Sequence, residues 1–246
     1  MVKKLYNSIE ILHFDELEST NRTAMAADTP HLCVFVADRQ NGGRGRLGRS
    51  FFSPNGGLYM SVVLEPDKIA CGLPFCTAAA AVAVKDALLG FGISGLSVKW
   101  VNDILKDKKK VCGILTEARA QDGCTLRVVV GIGINLREPE GGFPDEIADR
   151  AGAVDFSGDK LALAADIAKR LGELICSPAK KITQLYSQSL AMIGERAEVT
   201  DYKNGQKKLC GLILGVDENC FLRVRLDSGE TVSISSGEIG QFRDDL

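Results

Sequence analysis

Histidine is nearly missing from this chain: only His13 and His31 occur among 246 residues, beside a single tryptophan. Both read as strand-end residues, so nucleophilic catalysis that needs an imidazole base has few possible participants. An excess of positive charge is also lacking, because 30 Lys and Arg stand against 32 Asp and Glu, a formal net charge of -2. That balance argues against broad electrostatic binding to nucleic acid or to an anionic membrane, and any recognition of anions should be local. The sequence has no consecutive apolar run of about 18 residues. The N-terminal MVKKLYNSIEILHF has neither the apolar region nor the small-residue cleavage site of a signal peptide. A cytoplasmic protein without membrane contact is expected. The eight cysteines include no Cys-x-x-Cys pair, and five sit in apolar surroundings, so they read as reduced thiols and not as disulfides or a zinc site. No Walker-type phosphate loop and no Gly-x-Gly-x-x-Gly fingerprint occurs.

What is present suffices for a sizeable core, with 45% apolar and 25% charged residues. Residues 9–14 alternate as a half-buried strand does, and ESTN at 18–21 offers Ser19, Thr20 or Asn21 as the cap of a short helix. Strands are expected at 31–37, 58–64 and 97–100, and a buried alanine-rich helix at 73–89, stopped by Gly90 and Gly92. Residues 104–106 and 111–118 read as a hairpin around KDKKK, and Asp122-Gly123 turns the chain into a strand at 125–136. Consecutive hairpins predict an α+β fold, a mixed and largely antiparallel sheet packed with helices, and argue against a doubly wound parallel one. Residues 137–158 read as a surface connection, followed by helices at 159–175 and 182–190. After Gly194 the texture changes to short strands at close spacing, which suggests a small β-barrel. The expected domains are residues 1–191 and 192–246.

Three stretches carry chemistry. In GGRGRLGRSFFSPNGG, Arg44, Arg46 and Arg49 stand among glycines in a long loop between strands. Glycine lets backbone approach a ligand closely, and the guanidinium fork fits carboxylate or phosphate oxygens. In an extended segment Arg44 and Arg46 would project to one side. In KWVND, Asn102 and Asp103 offer an amide and a carboxylate to a ribose, a magnesium ion or an incoming amine, or simply make a turn. Lys110 stands at the entrance to VCGIL, where Gly113 interrupts the strand. In GIGIN, Gly131 and Gly133 leave one strand face bare, for a flat ligand or for helix packing.

Taken in order, ESTN, RQNGGRGRLGRSFFSPNGGLYMS, KWVNDILKDKKKVCGILTEA and GIGINL resemble the biotin protein ligases, whose fold is of the class II synthetase type. The later strands, with SSGEI, resemble that family's small barrel of the Src-homology type. The resemblance implies activation of biotin by ATP to biotinyl-5'-AMP with Mg2+, then transfer to a lysine of the biotin carboxyl carrier domain of acetyl-CoA carboxylase or a similar carboxylase. It implies a biotin site of Ser19, Thr20, Asn21, Gln40, Arg44, Gly45, Arg46, Lys110, Gly113, Gly131 and Gly133. It implies ATP contacts from Arg46, Arg49, Phe51, Asn102, Lys110 and Asn135, and catalytic roles for Arg44, Arg46, Lys110 and Asp103, the last also a possible magnesium contact. Val101 replaces the family's proline, and Phe51 stands where some relatives place a tryptophan near adenine.

With 18 residues before Ser19, a form without an N-terminal DNA-binding domain is expected, and a monomer or weak homodimer. The rival readings are a lipoate or octanoate ligase of the same superfamily, a non-catalytic nucleic-acid-binding module, and a degenerate ligase fold kept for interaction. The arginine loop should be mobile when empty and ordered over the adenylate. Its protease susceptibility should therefore fall when biotin and ATP are added, and equal cleavage in both conditions would contradict this.

Overall fold

The computed structural model describes residues 1–240. Its frame is an eight-stranded sheet that begins with a hairpin of β1 (Val2–Tyr6) and β2 (Ile9–Leu17), joined at Asn7 and Ser8, both with positive φ. Two such residues are what a tight hairpin turn between right-twisted strands demands. β1 was not expected from sequence, because VKKLY is an edge strand whose lysines and exposed apolar side chains show no buried face. From β2 the chain crosses through helix α1 (Thr20–Ala26) to β3 (Val34–Gln40), which pairs parallel to β2. Ser19 caps α1, its Oγ accepting the Arg22 N–H at 3.4 Å. β3 starts later than expected, since Leu32 takes φ 61° before it.

β4 (Leu58–Leu64), β5 (Leu96–Lys99), β6 (Asp103–Lys106), β7 (Lys109–Gln121) and β8 (Cys124–Ile134) complete the sheet in the order β1-β2-β3-β4-β8-β7-β6-β5. All pairs except β2 with β3 are antiparallel. β4 is buried along its whole length, as a central strand covered on both faces must be. Met60, Val62, Val130 and Ile132 turn to one face, which α2 (Cys76–Gly90), α3 (Lys160–Ile175) and α4 (Ala179–Ser189) cover. Phe35, Val63 and Val129 turn to the other face, beneath Ala24 of α1.

The segment Leu73–Gly90, a 3-10 turn leading into α2, has mean hydropathy 1.4 and is long and apolar enough to cross a membrane. The expectation of no such segment counted consecutive apolar residues, which Thr77, Lys85 and Asp86 interrupt. In the fold, alanines 78 to 81 are buried and let the helix sit close to the sheet and α3. Among the cysteines, 33, 71, 76, 112 and 220 are buried, and none of the eight is in a disulfide. His13 lies within β2 and not at a strand end, with Nε2 2.7 Å from Asp38 Oδ1. His31 precedes β3, and its Nδ1 accepts the Glu65 N–H at 3.1 Å.

The second sheet holds β9 (Arg196–Asp201), β10 (Lys207–Val216), β11 (Leu222–Leu226), β12 (Thr231–Ile234) and β13 (Gly237–Ile239), all antiparallel, in the order β12-β11-β10-β9-β13. No ladder joins β12 to β13 among the described residues. Val199, Ile213 and Val224 of this sheet belong to the same apolar cluster as α2 and α3, so packing is continuous across residue 192. A polar contact ties the junction, the Trp100 Nε1–H donating to the Cys220 carbonyl at 3.0 Å, and next to it, within the first part of the chain, the Tyr186 hydroxyl donates to the Val101 carbonyl at 2.8 Å. Tyr186 is fully buried. Tyr186→Phe leaves that carbonyl without its donor, and urea unfolding should show a loss of ~1–3 kcal/mol.

Candidate active site

On the α1 face of the sheet, a cavity of about 930 Å³ opens between β6, β7, β8, the arginine loop and the second sheet. Every residue singled out from the sequence lies on its wall: Ser19, Thr20, Asn21, Gln40, Arg44, Gly45, Arg46, Arg49, Phe51, Asn102, Asp103, Lys110, Gly113, Gly131, Gly133 and Asn135. The motifs meet because β7 and β8 pair with Gly113 opposite Gly133 and Leu115 opposite Gly131, while α1 and β3 bring Thr20 and Gln40 to the same end.

At Gly131 the bare glycine face is met by Asn21 of helix α1, the helix-packing alternative, and at Gly133 by the Phe51 ring. A Cβ on Gly131 would lie 2.3 Å from Asn21 Oδ1, and one on Gly133 would lie 2.5 Å from the Phe51 ring. The glycines thus admit an amide and an aromatic ring flat against the strand. Asn21 gives its Nδ2 hydrogens to Glu117 Oε2 at 2.7 Å and the Leu115 carbonyl at 3.3 Å. Phe51 also has Lys110 Nζ 5.8 Å from its ring centroid, within cation–π range.

The arginines do not project together. Gly45 leads into a 3-10 turn, Arg46–Gly48, with Leu47 at φ 57°, so the alternation of an extended segment is lost. Arg44 is exposed and makes no side-chain hydrogen bond or ion pair among the described residues. Arg46 donates to the Gly237 carbonyl at 3.1 Å and Ser236 Oγ at 3.3 Å, and reaches Asn102 Oδ1 at 3.5 Å. Arg49 pairs with Glu238 Oε2 at 2.7 Å and donates to the Tyr202 hydroxyl at 3.2 Å. Tyr202 in turn donates to Glu238 at 2.7 Å. Burial alone would raise the Glu238 carboxyl, but the Tyr202 hydroxyl and the Arg49 guanidinium outweigh it and hold the group below its usual range.

Asn102 is fixed by donating to the Ile114 carbonyl at 2.8 Å, and Asn135 by donating to the Gly152 carbonyl at 2.9 Å. Lys110 Nζ lies 2.7 Å from Asp103 Oδ1. Oδ1 is buried and has no partner other than this ammonium. No cluster of three His, Cys, Asp or Glu that could hold a metal exists among the described residues. A divalent cation would need ligands from a bound nucleotide, as is usual for magnesium.

Sequence reasoning missed Lys99, Tyr202 and Glu238, which also line the cavity. Lys99 had a signal, since Val98 is buried in the core and alternation sends Lys99 to the opposite face. Burial lowers the Lys99 ammonium, and Asp103 and Glu238 only partly oppose this. Tyr202 and Glu238 have no local signal because their partners lie in the distant arginine loop. The wall is thus a polar end at Thr20 and Gln40 and a cationic end at Arg46, Arg49, Lys99 and Lys110, suited to a small ligand with an anionic tail.

Residues 14–135 match the model of the Biotin/lipoate A/B protein ligase family, and residues 192–239 match the Biotin protein ligase C terminal domain. The Biotin--[acetyl-CoA-carboxylase] ligase of Paracoccus denitrificans is 32% identical over 230 residues, 87% of this chain and 94% of that relative. The chain belongs to the biotin protein ligase family. The Bifunctional ligase/repressor of Bacillus subtilis is 38% identical over 162 residues, 64% of this chain, and the match spans half of that relative's length. Among solved structures, the Aquifex aeolicus biotin protein ligase in complex with biotin and ATP superposes with a TM-score of 0.80 at 28% identity, covering 94% of this chain and 97% of that one.

In this member of the biotin protein ligase family, the contact of Arg49 with Glu238 and Tyr202 holds the arginine loop against the second sheet. Because the Glu238 carboxyl is lowered, the contact is made at neutral pH and is lost only as pH falls through that depressed value. Glu238→Gln removes the ion pair at any pH, and trypsin should cut at Arg44, Arg46 or Arg49 several-fold faster than in the parent. An unchanged rate would mean that other contacts hold the loop.

Proposed function

We propose that this chain is an ATP-dependent biotin protein ligase that makes biotinyl-5'-AMP and passes biotin to a lysine of the carrier domain of a biotin-dependent carboxylase. The observation that carries the reading is the convergence of four separated motifs on one cavity with a polar end and a cationic end. The named substrates agree with those in the solved Aquifex complex, and the carrier with the carboxylase in the Paracoccus relative's name.

In the first step a biotin carboxylate oxygen attacks the α-phosphorus of ATP, and the bond to the departing pyrophosphate breaks. Two anions must approach, so charge stabilisation dominates the barrier. Arg44, Arg46 and Lys110 would serve this by facing the carboxylate and the transferring phosphoryl group. The ring of Phe51 would meet adenine, with Asn102, Arg49 and Asn135 around the nucleotide. Magnesium carried in by the nucleotide would neutralise phosphate charge, and the Asp103 carboxylate, paired with Lys110 at 2.7 Å, would be available to meet it.

In the second step the carrier amine attacks the acyl carbon of the mixed anhydride, and AMP leaves. A lysine amine begins mostly protonated, with a pKa of ~10.4. Asp103 would orient the amine or take up its proton. The glycine-rich loop, folded over the adenylate, would keep water from the anhydride until the carrier arrives.

Lipoate or octanoate activation is the second reading, because the matched family model embraces both ligase types. The match of residues 192–239 to the biotin-type C-terminal domain favours biotin. Mass spectrometry of the protein with ATP, magnesium and equal biotin, lipoate and octanoate, followed by a carrier domain, tests the choice. Biotinyl-adenylate and a biotinylated carrier are expected. Dominant lipoyl or octanoyl products would overturn the substrate, and no adenylate at all would overturn the activity.

A further inference from the structure

Behind the polar end of the cavity runs a chain of four oxygens: Asn21 Oδ1, Ser61 Oγ, Thr20 Oγ1 and Gln40 Oε1. Successive separations are 2.6, 2.8 and 3.1 Å. Each short contact needs a hydrogen. The orientation of both terminal amides is fixed by groups that cannot change roles. At one end, Asn21 Nδ2 faces Glu117 Oε2 and the Leu115 carbonyl, a carboxylate and a backbone oxygen that only accept. At the other, Gln40 Oε1 receives the Thr20 backbone N–H at 2.8 Å, a group that only donates.

Asn21 Oδ1 and Gln40 Oε1 therefore carry no hydrogen, and the three contacts share only the two hydroxyl hydrogens of Ser61 and Thr20. The network is one hydrogen short. The Ser61 hydrogen must serve Asn21, the shortest contact. The Thr20 hydrogen then serves either Ser61 or the looser contact with Gln40. Filling the shorter one leaves Thr20 Oγ1 and Gln40 Oε1 as two adjacent acceptors on the cavity wall. Ser61 is fully buried, so no bulk water can relieve the shortage from behind.

We infer that Glu117, through Asn21 and Ser61, sets Thr20 and Gln40 as a pair of acceptors that selects a ligand presenting an N–H donor, such as a cyclic urea. Glu117 is absent from the cavity wall, so it is a positioning residue: it acts by fixing which end of the Asn21 amide faces Ser61. A glutamine at 117 would offer an N–H to Asn21 and leave only the longer 3.3 Å contact with the Leu115 carbonyl to oppose that amide turning over. The amide would then donate to Ser61, and the two hydroxyl hydrogens would be free to fill both remaining contacts. The pocket would lose its demand for an external donor.

This inference rests on the reading of the cavity as a biotin site, and the test separates the two. Binding to the full chain is measured by calorimetry for biotin and for the two cyclic carbamate analogues in which one urea N–H is replaced by ring oxygen. The parent should prefer biotin over at least one carbamate by ~10-fold or more, because a site built around a hydrogen bond rejects the analogue that lacks it. In Glu117→Gln the preference should fall below ~3-fold, with KM for biotin rising and kcat at saturation nearly kept. Glu117→Asp, which keeps an acceptor, should retain the preference. Ser61→Ala breaks the relay without altering charge and should also lower the preference, which covers the case of a Glu117→Gln protein that does not fold. Equal weakening of all three ligands in Glu117→Gln, with the preference intact, would mean a merely structural role and overturn the inference. A parent that binds biotin without preferring it over either carbamate would overturn it too. A parent that binds no biotin overturns the functional reading, and the inference with it.

Discussion

The site depends on a stretch of sheet without side chains. Gly113 and Gly133 face each other across β7 and β8, and Gly131 is the next position on the same face. A Cβ on Gly131 or Gly133 would run into Asn21 or Phe51 at separations no real side chain tolerates, and one on Gly113 would press tightly on Phe51 and Lys110. The opposite face of the same strands is ordinary core, with Ile132 and Ile134 buried under the helices. The sheet therefore supplies a flat floor on which Asn21 and the Phe51 ring rest, with the cationic groups at its margins. Such a floor holds its shape better than one built from loops.

Electrostatics at the other end of the cavity is balanced internally. Arg49 has Glu238 as its counter-ion, Lys110 has Asp103, and Arg46 is met by carbonyl and hydroxyl oxygens of the second sheet. Lys99 is half-buried on the same wall, and burial lowers its ammonium against the opposing pull of Asp103 and Glu238. An entering phosphate or carboxylate thus displaces Glu238 from Arg49 or Asp103 from Lys110, while Arg44, exposed and without an ion pair among the described residues, meets it directly. Selectivity then comes from geometry and from the fork of the guanidinium groups more than from net charge, in keeping with a chain whose charges almost cancel.

Local patterns made much of this readable. Residues 58–64 form β4 as expected because seven consecutive apolar or small residues fit a doubly covered strand. The helix expected over 159–175 is there as α3, and Asp159 caps it with its carboxylate on the Leu161 and Ala162 N–H groups. What stayed hidden was either exposed or distant. β1 carries lysines where alternation would show a core face, and the parallel pairing of β2 with β3 follows from a crossover that periodicity does not encode. The site residues were legible as motifs, yet their arrangement was not. Arg46 left the expected alternation for a 3-10 turn, and Ser61 and Glu117 looked like ordinary strand residues until the fold placed both against Asn21.

The seat of the arginine loop has a consequence for biosynthesis. Arg46 meets the Gly237 carbonyl across 191 residues of chain. Translation delivers the N-terminal part first, and domains begin to fold as they emerge. The large sheet, the glycine floor and the polar end can all form from residues made before the second sheet exists. The loop cannot be seated until nearly the last strand, β13, has left the ribosome. A nascent chain would thus hold the pocket for the ligand's head well before it can hold the cover for its reactive tail.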